Sequence, residues 1–267
     1  MRYLLYNFKK RGEDMSRYIV ISNIHGRYDE FIYLLSKCSD YFKAGYKLVL
    51  LGDYIGYGNQ SKETVKKILE LSERNDVIIL KGHWEDILYR AYRPESIHEA
   101  EKHKRMIINK RNYLPLFDLT EDKTLLNEYL DLIEQMKLYY VDDKYIFAHS
   151  GIDFRMWKGS SSFNMFLLHH DESHFIWNNS FYDNYLKEYF ANKEFLRKTF
   201  PYTVIAGHVP TYRINPAIRN FRESVPFIWE QVIGVDFGAS SRYGRLGALI
   251  LREEISYISI KIGDTTL

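Results

Sequence analysis

Five short motifs, each carrying metal-ligating side chains just after an apolar run, constrain this chain more than any other feature. They are Ser22-Asn23-Ile24-His25-Gly26, Gly52-Asp53-Tyr54-Ile55-Gly56, Lys81-Gly82-His83-Trp84-Glu85, Ala148-His149-Ser150-Gly151 and Gly207-His208-Val209-Pro210. The runs before them are Tyr18 to Ile21, Leu48 to Leu51, Val77 to Leu80, Tyr145 to Phe147 and Thr203 to Ala206. A short apolar run giving way to Gly, Asn or Ser reads as a buried strand entering a turn. Side chains at the mouths of successive strands converge in space, and His with carboxylate converging points to a metal site.

Composition narrows the partners. The 267 residues fit one large domain, and 46% hydrophobic residues can fill its core. Lys plus Arg number 37 against 35 Asp plus Glu. This balance gives no field for holding nucleic acid or a membrane surface, so any phosphate recognition must be local. The single cysteine, Cys38, excludes an internal disulfide and suits a reducing cytoplasm. No apolar run approaches the ~20 residues that span a bilayer. Residues 1–14 hold a short apolar patch, Tyr3 to Phe8, without the features of a signal peptide. They are read as an extension to a domain of residues 15–267, with Met15 an alternative start just before the first strand.

Along the chain, Tyr18 to Ile24, Lys47 to Leu51 and Val77 to Leu80 are expected as buried strands. Helices are expected over Tyr28 to Ser39 and Glu63 to Ser72. This βαβαβ pattern implies right-handed crossovers and a largely parallel sheet. Residues 86–136 are charged and helix-prone, an expected helical excursion over the site. Asp142-Asp143-Lys144 reads as a turn between two strands within Tyr139 to Phe147. Residues 152–200 are aromatic-rich and give no clear period. Late strands are expected over Thr203 to Ala206, Val232 to Asp236 and Leu246 to Leu251, the last pairing with Ile255 to Ile262. The expected architecture is α/β: two mixed sheets face to face with helices outside.

The order of the motifs resembles the calcineurin-like metallophosphoesterase superfamily, in particular its bacterial serine/threonine phosphatase and diadenosine-tetraphosphatase branch. That family's pattern runs Asp-x-His-Gly, Gly-Asp-x-x-Asp-Arg-Gly, Gly-Asn-His-Glu, His-Ala/Ser-Gly and Gly-His-Thr-Pro, and the resemblance covers Tyr18 to Leu251. It implies a four-layer sandwich and two metal ions ~3.5–4 Å apart that activate water for attack on phosphorus. Carried over by position, Asn23, His25 and Asp53 would hold the first ion. Asp53, His83, His149 and His208 would hold the second. Mn, Fe or Zn suit such ligands. Asp236, in Gly234-Val235-Asp236-Phe237-Gly238, matches a family aspartate that supports the site, orienting a ligand histidine or a loop amide.

The departures shape the functional expectation. Asn23 stands where the family has Asp, His83 where it has Asn, and Trp84 where it has the His that protonates the leaving group. Gly56-Tyr57 replaces Asp-Arg, and Asn178 replaces the phosphate-gripping Arg after Trp177. Tyr57 and Asn178 are therefore candidate substrate contacts, with Lys81 offering a point charge to a phosphate oxygen. Asp53, His83 and Lys81 are the candidate catalytic residues, and a loop shift by one residue would make His83 the surviving acid. Tight binding is expected at the second metal position and weak or no binding at the first. Losing the general acid alone costs ~10²–10⁴-fold in rate. The expected function is slowed, metal-dependent hydrolysis of a phosphoprotein, nucleotide or dinucleoside polyphosphate. The alternative is a catalytically silent protein that binds a phosphorylated small molecule or a phosphoprotein.

Overall fold

The apolar runs before the five motifs are strands. The computed structural model describes residues 17–109, 113–159, 162–218 and 220–265; the expectations for residues 1–14 and Met15 lie outside them. Among the described residues, the strands are β1 (Tyr18–Ile21), β2 (Lys47–Leu50), β3 (Val77–Ile79), β4 (Tyr139–Val141), β5 (Tyr145–Ala148), β6 (Thr203–Ala206), β7 (Phe227–Trp229), β8 (Val232–Gly234), β9 (Arg245–Leu251) and β10 (Ser256–Lys261). One sheet has the order β10-β9-β1-β2-β3 and the other β4-β5-β6-β8-β7. β1 pairs in parallel with β2, and β2 with β3, as the βαβαβ pattern requires. β9 lies antiparallel to both β1 and β10. In the second sheet β5, β6 and β8 run parallel, with β4 and β7 antiparallel at the edges.

Period-two alternation along the strands assigns each side chain to a layer. Tyr18, Val20, Val49, Leu51, Phe147, Ile205, Ile233 and Leu249 meet between the sheets. Their neighbours Ile19, Ile21, Leu48, Leu50, Ala248 and Ile250 face an outer helical layer. Ile146, Ala148, Val204, Ala206 and Val232 face the other. The result is the expected four-layer sandwich, in which each fully buried aliphatic side chain contributes about 1.5–3 kcal/mol.

The helices are α1 (Tyr28–Lys37), α2 (Ser39–Lys43), α3 (Ser61–Ser72), α4 (His83–Tyr92), α5 (Ile97–Asn109), α6 (Tyr113–Glu121), α7 (Lys123–Gln135), α8 (Phe163–Leu168), α9 (Glu172–Ile176), α10 (Phe181–Thr199) and α11 (Thr211–Ile214). The expected excursion is helical; α5, α6 and α7 pack on α3 and α4 and thicken that layer. Its described links toward the site are Tyr129 of α7, bonded to Glu85, and Glu99 of α5, bonded to Arg90. β1 stops at Ile21 rather than running to Ile24 because Asn23 (φ 54°) and His25 (φ 53°) adopt left-handed backbone that cannot continue a strand. Residues 152–200 hold α8, α9 and α10, where sequence periodicity gave no assignment.

Candidate metal centre

All five motifs come together where the parallel strands of the two sheets end. The loops that carry them are locked by backbone hydrogen bonds: Asn23 N–H to Gly52 O (3.1 Å), His25 N–H to Asp53 O (2.9 Å), and Gly207 N–H to His149 O (2.9 Å). Gly52 (φ 98°) passes so close to Gly82 that a Cβ on Gly52 would lie 2.5 Å from the Gly82 Cα, so the second and third motifs need glycine at both positions. Asn23, His25, Asp53 and His208 all have φ between 53° and 64°, a region costing roughly 1–3 kcal/mol per non-glycine residue. Among the described residues the only other such position is Glu230. Strain is thus concentrated where ligand-type side chains are aimed inward.

Asp53, His83, His149 and His208 each present one ligand atom, all within 4.8 Å of one another. His83 Nδ1 lies 2.9 Å from Asp53 Oδ2, 3.3 Å from His149 Nε2 and 3.1 Å from His208 Nδ1. His149 Nε2 lies 3.1 Å from His208 Nδ1 and 3.4 Å from Asp53 Oδ1. The outer ring nitrogens fix the orientation of two of these histidines. His149 Nδ1–H donates to Leu51 O (2.8 Å), and His208 Nε2 meets Asn179 Oδ1 (2.9 Å). The inner nitrogens therefore turn lone pairs toward a common point.

Burial sets the charge states. It lowers the pKa of His149 to about 4, against an opposing pull from Asp53. Burial, reinforced by His149 and His83, holds His208 well below the usual histidine range. Both rings are neutral at pH 7, the form that ligates metal. For Asp53, burial pushes upward, but His149 and His83 prevail and hold the carboxyl well below its ordinary value. Three imidazoles and one buried carboxylate, oriented from behind, fit a divalent cation of the Zn, Fe or Mn type.

The supporting residues were only partly evident from sequence. Glu85, fully buried, accepts from Asp53 N–H (2.7 Å), Tyr54 N–H (3.0 Å), Gly82 N–H (3.1 Å) and the Tyr129 hydroxyl (3.0 Å). It ties the Asp53 loop to the start of α4. Burial, then the nearby Asp53 charge, raises its pKa to about 7. Asp236 accepts from Gly238 N–H (2.8 Å), a loop amide, and burial pushes its carboxyl up to about 7. Asn179, which no motif singled out, supplies the oxygen facing His208.

The first-position residues are arranged differently. His25 Nε2 lies 3.9 Å from Asp53 Oδ2, and its Nδ1–H donates to Ile55 O (3.2 Å). The Asn23 amide nitrogen lies between them, 3.1 Å from Asp53 Oδ2 and 3.4 Å from His25 Nε2. The Asn23 oxygen accepts from His208 N–H (3.0 Å) and from Ser22 Oγ (2.5 Å).

The surrounding wall separates the candidate substrate contacts. Lys81 Nζ pairs with Glu172 (2.6 Å) and Asp86 (3.2 Å), and Arg90 bridges Asp86, Glu99 and Glu172, so the lysine charge is matched within the protein. Trp84 is buried in the core, with its backbone N–H donating to Asp53 Oδ1 (3.0 Å). Gly56 (φ 129°) leaves room for it, since a Cβ there would lie 3.0 Å from the indole. Tyr57 stands half-exposed at the rim, its ring edge-on to His25 (4.9 Å) and Trp84 (5.5 Å). The Asn178 amide nitrogen faces Ile152 O (3.5 Å), and its backbone N–H donates to Ser150 Oγ (2.8 Å).

A family model described as calcineurin-like phosphoesterase matches residues 16–237. The asymmetrical bis(5'-nucleosyl)-tetraphosphatase PrpE of Anoxybacillus flavithermus is 24% identical over 51% of this chain and 57% of its own length. The symmetrical bis(5'-nucleosyl)-tetraphosphatase of Buchnera aphidicola is 34% identical over 52% of this chain and 45% of its own. The chain thus spans about half the length of these curated relatives. A cold-active protein-tyrosine phosphatase of a psychrophilic Shewanella shares the fold, with TM-score 0.55 at 15% identity over 93% of this chain and 81% of that one. With the sandwich, the motif order and this match over most of its length, the chain belongs to the calcineurin-like phosphoesterase family.

Proposed function

We propose that this protein hydrolyses a phosphoester bond using a divalent metal held by Asp53, His83, His149 and His208. The observation that carries the reading is the convergence of those four ligand atoms, three of them on buried residues, with His149 and His208 oriented from behind. When bound there, the ion supplies a Lewis acid for a phosphoryl oxygen and lowers the pKa of coordinated water. Asp53 offers two oxygens, with Glu85 fixing its backbone. Imidazole ligands would hold the ion without cancelling its charge.

The choice of bond follows from the proton chemistry. By the resemblance, Trp84 takes the place of the family's proton-donating His, and an indole has no proton to give at neutral pH. A phosphoanhydride or an aryl phosphate, whose leaving group carries its own charge comfortably, suits such a site better than an alkyl phosphate. The rim agrees with a polyphosphate. Arg213 is exposed and, among the described residues, in no ion pair with a carboxylate. It lies three residues after the His208 motif ends at Pro210, and its charge reaches Tyr57 and Asp236. A nucleotide or dinucleoside polyphosphate is therefore the favoured substrate class, as the names of the two relatives suggest.

The test is turnover of p-nitrophenyl phosphate and of a bis(5'-nucleosyl) tetraphosphate in Mn²⁺, beside Asp53→Asn purified identically. Turnover well above the variant supports hydrolysis, and preference for the tetraphosphate supports the anhydride. Equal, near-zero rates would favour the second reading, a phosphate-binding protein without catalysis. Trp84 in the acid's place and the amide at Asn23 motivate that reading. Binding of a non-hydrolysable polyphosphate analogue would then identify it.

A further inference from the structure

We infer that this centre holds a single metal ion, and that the side-chain amide of Asn23 replaces by hydrogen bonding the other ion, the one that Asn23, His25 and Asp53 would hold. The inference rests on the metal reading proposed above and concerns the number of ions.

The argument turns on which end of the amide faces the site. A backbone N–H only donates, so the His208 N–H at 3.0 Å requires an acceptor, and Ser22 Oγ at 2.5 Å donates to the same atom. Both demands place the Asn23 oxygen away from His25 and Asp53. The NH₂ group then points between them, with one hydrogen for Asp53 Oδ2 and one for His25 Nε2. The Ile55 carbonyl fixes the histidine tautomer that accepts, because it takes the Nδ1 proton. Every donor and acceptor of the amide is satisfied, and Asn23 is 1% exposed.

An aspartate here would have two acceptor oxygens, one for His208 N–H and one for a cation. Asparagine has one oxygen, already used, and presents two N–H bonds where a cation would need a lone pair. Turning the amide over would free the oxygen only by setting NH₂ against the His208 N–H in a buried place. The same group that excludes a cation also holds His25 and Asp53 together, the bridging task that the ion performs elsewhere in such two-metal sites.

Purified protein, equilibrated with Mn²⁺, tests this by elemental analysis of bound manganese and by electron paramagnetic resonance. The expected result is one Mn²⁺ per chain with the spectrum of an isolated ion, rising to two with a spin-coupled spectrum in Asn23→Asp. His25→Ala should leave the wild-type count at one, which keeps the inference testable even where Asn23→Asp fails to fold. Two ions in the wild type, a folded Asn23→Asp that stays at one, or loss of the ion in His25→Ala would each overturn it. No bound ion at all in the wild type would overturn the metal reading beneath it, a failure distinct from finding two.

Discussion

The two halves of the site share Asp53 and a strained loop geometry, yet they are built on opposite principles. On one side His83, His149 and His208 bring inner nitrogens within 3.1–3.3 Å of each other, a cluster of ligand atoms that a cation could join. On the other, Asn23 and His25 meet Asp53 as donor and acceptor, and nothing is owed to a metal. One half converges on a point that a cation could occupy; the other is complete as protein. Burial alone does not make a metal site, since His25 and His149 are both buried with pKa values lowered to about 4. What differs is whether a neighbouring side chain can fill the gap with hydrogen.

The comparison breaks most sharply at the residue common to both halves. Asp53→Asn should abolish metal retention in dialysed protein and lower turnover by more than the about 10–100-fold typical of residues behind the ligands. Retention of the ion by this variant would mean the three histidines suffice. Glu85→Ala should come next. It leaves Asp53 N–H, Tyr54 N–H, Gly82 N–H and the Tyr129 hydroxyl without their acceptor, and each orphaned buried donor costs about 1–3 kcal/mol. Chemical denaturation that shows less than about 1 kcal/mol of loss would remove Glu85 from the foundation of the site.

Acid should affect both halves together in metal-free protein. His25 and His149 have folded pKa values lowered from 6.5 to about 4, chiefly by burial. A depressed pKa contributes stability that is present above 6.5 and is lost as pH falls through 4. Thermal melts in EDTA should therefore decline across that window, and Mn²⁺ should raise the melting temperature most at its upper end. A flat profile would contradict the neutral-ring assignment. The smallest effect should be at the rim: Arg213→Ala should raise KM for a polyphosphate by about fivefold at most, with kcat unchanged, as befits an exposed charge.

The motifs were legible because each combines two independent signals, an apolar run and a ligand residue before glycine or serine. The strands and their order of convergence followed from these. β7 was missed because Phe227–Trp229 is three residues long and graded from buried to exposed, with no alternation to detect. α10 was missed because aromatic residues lie on both faces: Phe181, Tyr182, Tyr185 and Tyr189 are buried, while Phe190 and Phe195 are exposed. Within the site, the histidines that converge could be read from position. The orientation of the Asn23 amide could not, since it is decided by an N–H 185 residues away. Asn179 was likewise hidden, meeting His208 across 29 residues with no local pattern.

Gly56 and Trp84 carry a consequence for how this chain can change. The indole lies 3.0 Å from where a Cβ at position 56 would stand, so the two positions are coupled. Trp84→His alone would not simply supply an acid; it would hollow a fully buried position, where truncating a Trp to Ala costs about 3–5 kcal/mol. Gly56→Asp alone would press its Cβ on the ring at 3.0 Å and strain the backbone at φ 129°. Each change is therefore easier beside the other, which makes the order of substitutions, as well as their number, part of the barrier between this site and one with a proton donor.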